Sequence, residues 1–358
     1  MFEYDQVAVA GDPVIPIGAP FDGERFESFR EVARLGKLGG SLMLGQLNHP
    51  GRQIDCKIQP YPVSASDIQQ EGEVLGFRAA KPRAASSRDL GRIIKGFAHS
   101  AEYLEEAGYD GIEIHAAHGY LLSQFLSPKT NRRLDQYGST FKNRARLIAE
   151  IAEAVRKRTK PSFVMGIKLN SVDFQADGFG MEEAKQLCRV LETSSFDFVE
   201  LSGGGLEHFA HTRESTKKRE GFFMEFADLV TPELTKTKVF VTGGFKTVGA
   251  MVAAIDEIDG IGLARPLCQE PHLCRYFLDG TVCGALRQRP DESNYALTNI
   301  VAGSQIGRMA AGKEPLDMSK EGNEKAFKQA MDRWSEAKAK DSEMLTYGYA
   351  DLANVVPI

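Results

Sequence analysis

An α/β fold built on a parallel sheet is the class this sequence predicts, and three observations predict it. Six short apolar runs, each of strand length, recur along the 358 residues, and amphipathic helical segments separate them. The residues that close each run are polar or glycine-rich, as at the strand ends where parallel α/β proteins gather their ligands.

The runs are SLMLGQLN (41–48), GIEIHAA (111–117), FVMGIKLN (163–170), FDFVELSG (196–203), KVFVTGG (238–244) and GIGLAR (260–265). The first helical segment, ERFESFREVARLGKLGG, sets Phe26, Phe29, Val32 and Leu35 on one face and stops at glycine. SSRDLGRIIKGFAHSAEYLEEAG follows, with Ser87 as the expected N-cap and Gly108 as the stop; FKNRARLIAEIAEAVRKR and MEEAKQLCRVLETS repeat the pattern. Residues 50–86 are too long for an ordinary βα turn and predict a loop or hairpin over the strand ends, in the position of a lid. From Lys320 a charged helix carries Phe327, Met331 and Trp334 at i, i+4 and i+7, a stripe that predicts packing against the main domain.

Composition narrows the function. With 42% hydrophobic residues the chain buries a large core, and a net charge of −5 with scattered basic residues leaves no footprint for nucleic acid or an anionic membrane. Cys56, Cys188, Cys268, Cys274 and Cys283 are odd in number and form no CxxC pair, which argues against disulfides, zinc and iron–sulfur clusters and for a reducing compartment. No run resembles a signal peptide or a membrane span, so a cytoplasmic protein acting on a small molecule is expected.

The strand ends collect Gln46, Asn48 and His49; His115 and His118; Lys168 and Asn170; residues 202–205; Gly243 and Gly244; and Ala264 and Arg265. Each alone has a plain reading: SGGG as a turn, Lys168 as a surface charge. Together, TGG with its free backbone N–H groups and LAR with its guanidinium read as a site for a phosphorylated cofactor, which barrels often build from their last two strand ends. For HAAH, a metal pair and a pair of structural histidines are alternatives. Two neutral imidazoles can instead donate to one carbonyl oxygen and stabilise the charge that develops on it. Tyr120, two residues on, is either a half-buried core aromatic or a proton donor beside that carbonyl.

HAAHGYLLSQFLSPKTNRRLDQYGST followed by NRARL resembles, nearly residue for residue, the signature of the old yellow enzyme family of FMN-dependent ene-reductases. GQLNHPGRQ, IKLN, VELSGG, VFVTGGF and GIGLARP stand in the family's order, and the similarity fades after about Pro315. The family folds as a TIM (β/α)8 barrel, so the six runs correspond to strands three to eight. The resemblance implies that Gln46 bonds the flavin pyrimidine edge and that Lys168, where many members carry Arg, lies near N1 and the C2 carbonyl. It further assigns Gly243, Gly244, Ala264 and Arg265 to the FMN phosphate, His115 and His118 to the substrate carbonyl, and Tyr120 to proton donation. The activity implied is reduction of the activated C=C bond of an α,β-unsaturated carbonyl compound with electrons from NADH or NADPH, with a homo-oligomer left open. Six strands are short of eight, so the expected layout is an N-terminally incomplete barrel over 1–315 and a helical tail over 316–358. The alternative function is a truncated or degenerate barrel without flavin-dependent activity.

Overall fold

The computed structural model describes all residues except 4, 10, 75–76, 172–180, 204–219, 344–346 and 358. Each apolar run forms a strand. Numbered in chain order, β1 (Leu44–Leu47), β6 (Gly111–Ala116), β7 (Val164–Asn170), β8 (Phe198–Ser202), β9 (Lys238–Thr242) and β10 (Gly260–Gly262) form one sheet in that order. The pairings from β1 through β9 are parallel. The insertion contributes β2 (Val63–Ser64) paired with β5 (Arg83–Ala84), and the short hairpin β3 (Glu73–Val74) and β4 (Phe77–Arg78). Contacts divide the chain into two compact units: Met1–Ala210, Phe223–Val241 and Glu257–Gly260 form the first, His211–Phe222, Thr242–Asp256 and Ile261–Ile358 the second.

In the first unit, strand alternation decides what is core. Ile112 and Ile114 of β6, Met165, Ile167 and Leu169 of β7, and Val199 and Leu201 of β8 are all buried. Helices Ser87–Glu106 and Arg146–Arg156 supply Leu90, Ile93, Phe97, Leu104, Leu147, Ile148, Ile151 and Val155, also buried. Gly45 lets Leu104 approach, since a Cβ there would lie 2.4 Å from its Cδ1. On the opposite strand face, Gly166 and Gly260 leave room for the rings of Phe198 and Phe240, which meet edge to face at 5.4 Å.

Several sequence expectations shift. Ser86, not Ser87, caps the second helix: its hydroxyl accepts from Asp89 N–H while the Asp89 carboxylate accepts from Ser86 N–H, a reciprocal pair that Ser87 has no acid to complete. The first helix, Gly23–Gly36, buries Phe26 and Ala33, whereas Val32 and Leu35 are exposed; an i, i+3 drift outruns 3.6 residues per turn. Residues 141–156 form two helices that break at Ala145.

The long HAAHGY signature is largely scaffolding. Gln124 donates to Pro50 O at 3.1 Å and to Gly119 O at 2.7 Å and accepts from Ser64 Oγ at 2.8 Å, tying the insertion to the loop after β6. Arg133 adds bonds to Ala65 O and Ala85 O, and Asn131 clasps Phe125 O and Tyr137 O, both at 2.7 Å. Arg144, from NRARL, donates to Leu126 O and Ser139 O and pairs with Glu183 at 3.0 Å.

In the second unit, the tail helix Glu321–Lys340 buries Phe327 and Ala330 against Val301 of helix Tyr295–Ala310 and against Leu316, Met318, Ala350 and Leu352. All five cysteines are free thiols. Among the described residues no helix is long and apolar enough to cross a membrane.

Candidate active site

Paired strand residues share a sheet face, so register alone assembles a polar layer in the first unit. Gln46 pairs with Glu113, His115 with Lys168, and Lys168 with Glu200. His115 stands two residues beyond Glu113 on one strand, so all five project the same way. Gln46 Nε2 donates to Glu113 Oε2 at 2.5 Å, the Lys168 ammonium lies 3.6 Å from Glu113 Oε2, and it forms a tight ion pair with Glu200. Burial, followed by the neighbouring Glu200, pushes the Glu113 carboxyl up to about 8, against the opposing pull of Lys168. Neither glutamate was singled out from the sequence. The signal was present in GIEIH and FVELS, where each carboxylate alternates with buried aliphatic residues and therefore must face the same side as His115 and Lys168.

The two histidines are joined in a directed chain. Ala117 N–H donates to His115 Nδ1 at 3.2 Å, which leaves the His115 proton on Nε2. That nitrogen lies 3.2 Å from His118 Nδ1, so His115 donates and His118 accepts. The His118 proton is thereby placed on Nε2, 3.1 Å from Ser202 Oγ at the end of β8. Burial is the main reason that both imidazoles are neutral: it lowers His115 well below its ordinary value and His118 to about 4, with nearby Lys168 adding to each. His118 adopts φ 59°, a left-handed backbone. The half-buried Tyr120 ring stands perpendicular to His115 at 4.9 Å. His49 is not part of this layer; it is buried against Phe2, and its Nδ1 accepts from Gly51 N–H. Gly204 and Gly205 lie outside the described residues.

The second unit holds Gly243, Gly244, Ala264 and Arg265 together on the wall of one cavity of about 440 Å³, a volume suited to a small ligand. Gly244 has φ 77°, and a Cβ on it would lie 2.4 Å from the Phe222 ring; at Gly262 a Cβ would collide with Thr242 Oγ1. Only glycine fits at these two points of the wall. Arg265 Nη1 donates to Thr298 Oγ1 at 2.6 Å, and the guanidinium lies 5.3 Å over Tyr295, which fixes its direction. Lys246 is ion-paired with Glu292, while Glu220 accepts from the backbone N–H groups of Lys246 and Thr247. Thr242 Oγ1 and Gln288 Oε1 line the cavity as buried polar atoms with no hydrogen-bond partner among the described residues.

These sets fit FMN. An oriented guanidinium beside glycine backbone suits a dianionic phosphate, and the orphaned oxygens suit hydroxyl donors of a ribityl chain. The exposed Gln46 amide and the Lys168 ammonium suit the alternating donors and acceptors of a flavin pyrimidine ring.

A parallel α/β sheet with these residues at its strand ends suits a flavin oxidoreductase, and residues 8–280 match the NADH:flavin oxidoreductase / NADH oxidase family, to which the chain belongs. It is 45% identical over 345 residues to the NADH-dependent flavin oxidoreductase nadA of Aspergillus parasiticus, a match covering 95% of this chain and 78% of that one. Identity to iccE of Talaromyces variabilis, another NADH-dependent flavin oxidoreductase, is 37% over 256 residues, covering 65% and 62%. Among solved structures, morphinone reductase in complex with tetrahydroNAD aligns with TM-score 0.61 at 24% identity over 80% of this chain and 78% of that one, a likeness of fold. The resemblance read from HAAHGY thus holds: this is a member of the old yellow enzyme family, of the TIM-barrel class, with FMN as cofactor and a nicotinamide nucleotide as reductant.

Proposed function

We propose that the chain reduces the activated C=C bond of an α,β-unsaturated carbonyl compound, taking electrons from NADH or NADPH through FMN. The observation that carries this reading is the neutral His115–His118 chain, which ends in the His118 Nε2–H facing Ser202 and has the Tyr120 ring standing against His115. A neutral imidazole donor suits an oxygen that gains negative charge during the reaction, because it adds little charge to the ground state and strengthens as the charge grows.

In the first unit Gln46 and Lys168 would hold the pyrimidine edge of a flavin; in the second, Arg265 and the backbone of Gly243, Gly244 and Ala264 would hold a flavin phosphate. Bound FMN supplies hydride to the β-carbon of the alkene. His118 donates a hydrogen bond from Nε2–H to the substrate carbonyl oxygen, which takes the place of Ser202 Oγ as acceptor while the proton stays on Nε2. His115 keeps that proton on Nε2 by donating to Nδ1, and polarises it through the shared bond. Direct donation by both imidazoles to one oxygen requires the His115–His118 bond to open. Tyr120 gives its phenolic proton to the α-carbon, and solvent restores it.

Anaerobic titration tests the assignment. The purified protein loaded with FMN should lose its visible flavin band on adding NADH or NADPH and regain it on adding a cyclic enone. A band that NAD(P)H bleaches and only oxygen restores would contradict alkene reduction, and failure to retain FMN would favour the inactive-barrel alternative.

A further inference from the structure

Lys168 is not a lone cation. Its ammonium lies between two carboxylates, Glu200 in a tight ion pair and Glu113 at 3.6 Å, and all three side chains are at most 18% exposed. With every group ionised the cluster carries a net charge of −1 in a buried layer, and two carboxylates at one site do not readily ionise together. One proton is therefore stored, and Glu113 is its holder: it is the more buried of the two, and Glu200 has the closer cation.

We propose that Glu113 is a positioning residue that stores the proton balancing charge at the flavin pyrimidine edge, keeping the Glu113–Lys168–Glu200 cluster neutral and, in alkaline solution, taking a proton from solvent whenever the flavin is reduced. The proposal rests on the reading that Lys168 faces N1 and the C2 carbonyl of FMN. The balance is simple. NAD(P)H gives up a hydride, which is one proton together with two electrons, and leaves as NAD(P)+; a flavin that takes it up gains one negative charge. Where Glu113 is already protonated no further proton is needed, and where it is a carboxylate one proton from water joins it. Among the described residues, the groups facing Glu113 are Gln46 from β1, Lys168 from β7, Glu200 from β8, His115 on its own strand and His118 in the loop beyond. Both histidines are neutral at the pH values concerned, and Gln46 does not titrate, so Lys168 and Glu200 set the behaviour of Glu113.

The midpoint potential of the FMN-loaded enzyme, measured spectroelectrochemically from neutral into alkaline pH, tests this. A two-electron couple shifts by about 30 mV per pH unit for each proton taken up. The parent should follow a slope of about 30 mV per pH unit near neutrality and steepen to about 60 mV above the pH where Glu113 ionises, one proton and then two. Glu113→Gln should keep the shallow slope throughout. Glu200→Gln, which removes the like charge and frees Lys168 to act on Glu113, should move the break toward lower pH and supplies the second arm if Glu113→Gln does not fold. A parent slope that never steepens, a break that persists in Glu113→Gln, or one that stays put in Glu200→Gln overturns the proposal while leaving alkene reduction standing. Failure to bind FMN removes both.

Discussion

Replacing Arg265 with Ala isolates the phosphate contact, because this side chain stands on the wall of the second unit's cavity rather than in a core. It is half-buried and already aimed, by the 2.6 Å bond to Thr298 and by Tyr295 beneath it, so little conformational freedom is lost when it meets a ligand. Hydrogen bonds to charged groups contribute about 1.5–3 kcal/mol each, and the planar guanidinium can offer two to a phosphate. Allowing for partial replacement by water, Arg265→Ala should weaken FMN binding by about 2–4 kcal/mol, about 30- to 700-fold in Kd. Quenching of FMN fluorescence by the apo-protein measures this directly, with the thermal midpoint of the apo-protein as control, which should barely move. Thr298→Val, which removes the aiming bond but keeps the charge, should weaken FMN about tenfold or less. An Arg265→Ala protein that binds FMN as the parent does would show that the phosphate lies elsewhere.

Gly244→Ala should destabilise the protein and abolish FMN retention, since the added Cβ meets the Phe222 ring at 2.4 Å on a left-handed backbone; a variant with parental melting temperature and flavin content would refute the cradle. Ser86→Ala should cost about 1 kcal/mol in urea unfolding with no change in FMN affinity, because only a helix cap is lost. Acid should destabilise the protein. His49 and His118 have folded values lowered to about 3 and about 4 from 6.5, so the unfolded chain binds more protons between these limits. Their stabilisation is complete above 6.5 and falls by about 2 kcal/mol each at pH 5, which denaturant titrations at pH 7 and pH 5 can read.

The six strands were legible because each is a short apolar run with its own alternation, and the strand-end residues followed from parallel topology: Gln46, His115, His118 and Lys168 share one layer, and Gly243, Gly244, Ala264 and Arg265 one cavity. What escaped depends on neighbours in space. Glu113 and Glu200 became part of the site only when register set them against Lys168, and His49 left it because Phe2, 47 positions earlier, packs on its ring. The direction of the histidine chain is set by Ala117 N–H at one end and by Ser202, 84 residues from His118, at the other. The one-residue shift of the helix cap had a local cause that could have been read: only Ser86 has an acid three residues on.

Stopped-flow measurement of the two half-reactions in His118→Ala bears most directly on the central claim, that a neutral histidine donor serves the carbonyl of an alkene substrate. Because the benefit arises as charge grows on that oxygen, reoxidation of reduced FMN by a cyclic enone should slow by about 10²–10³, the loss typical of one such donor. Reduction of FMN by NAD(P)H, which places no charge on that oxygen, should change by less than about tenfold. Equal losses in both half-reactions, or unchanged enone reoxidation, would contradict the account.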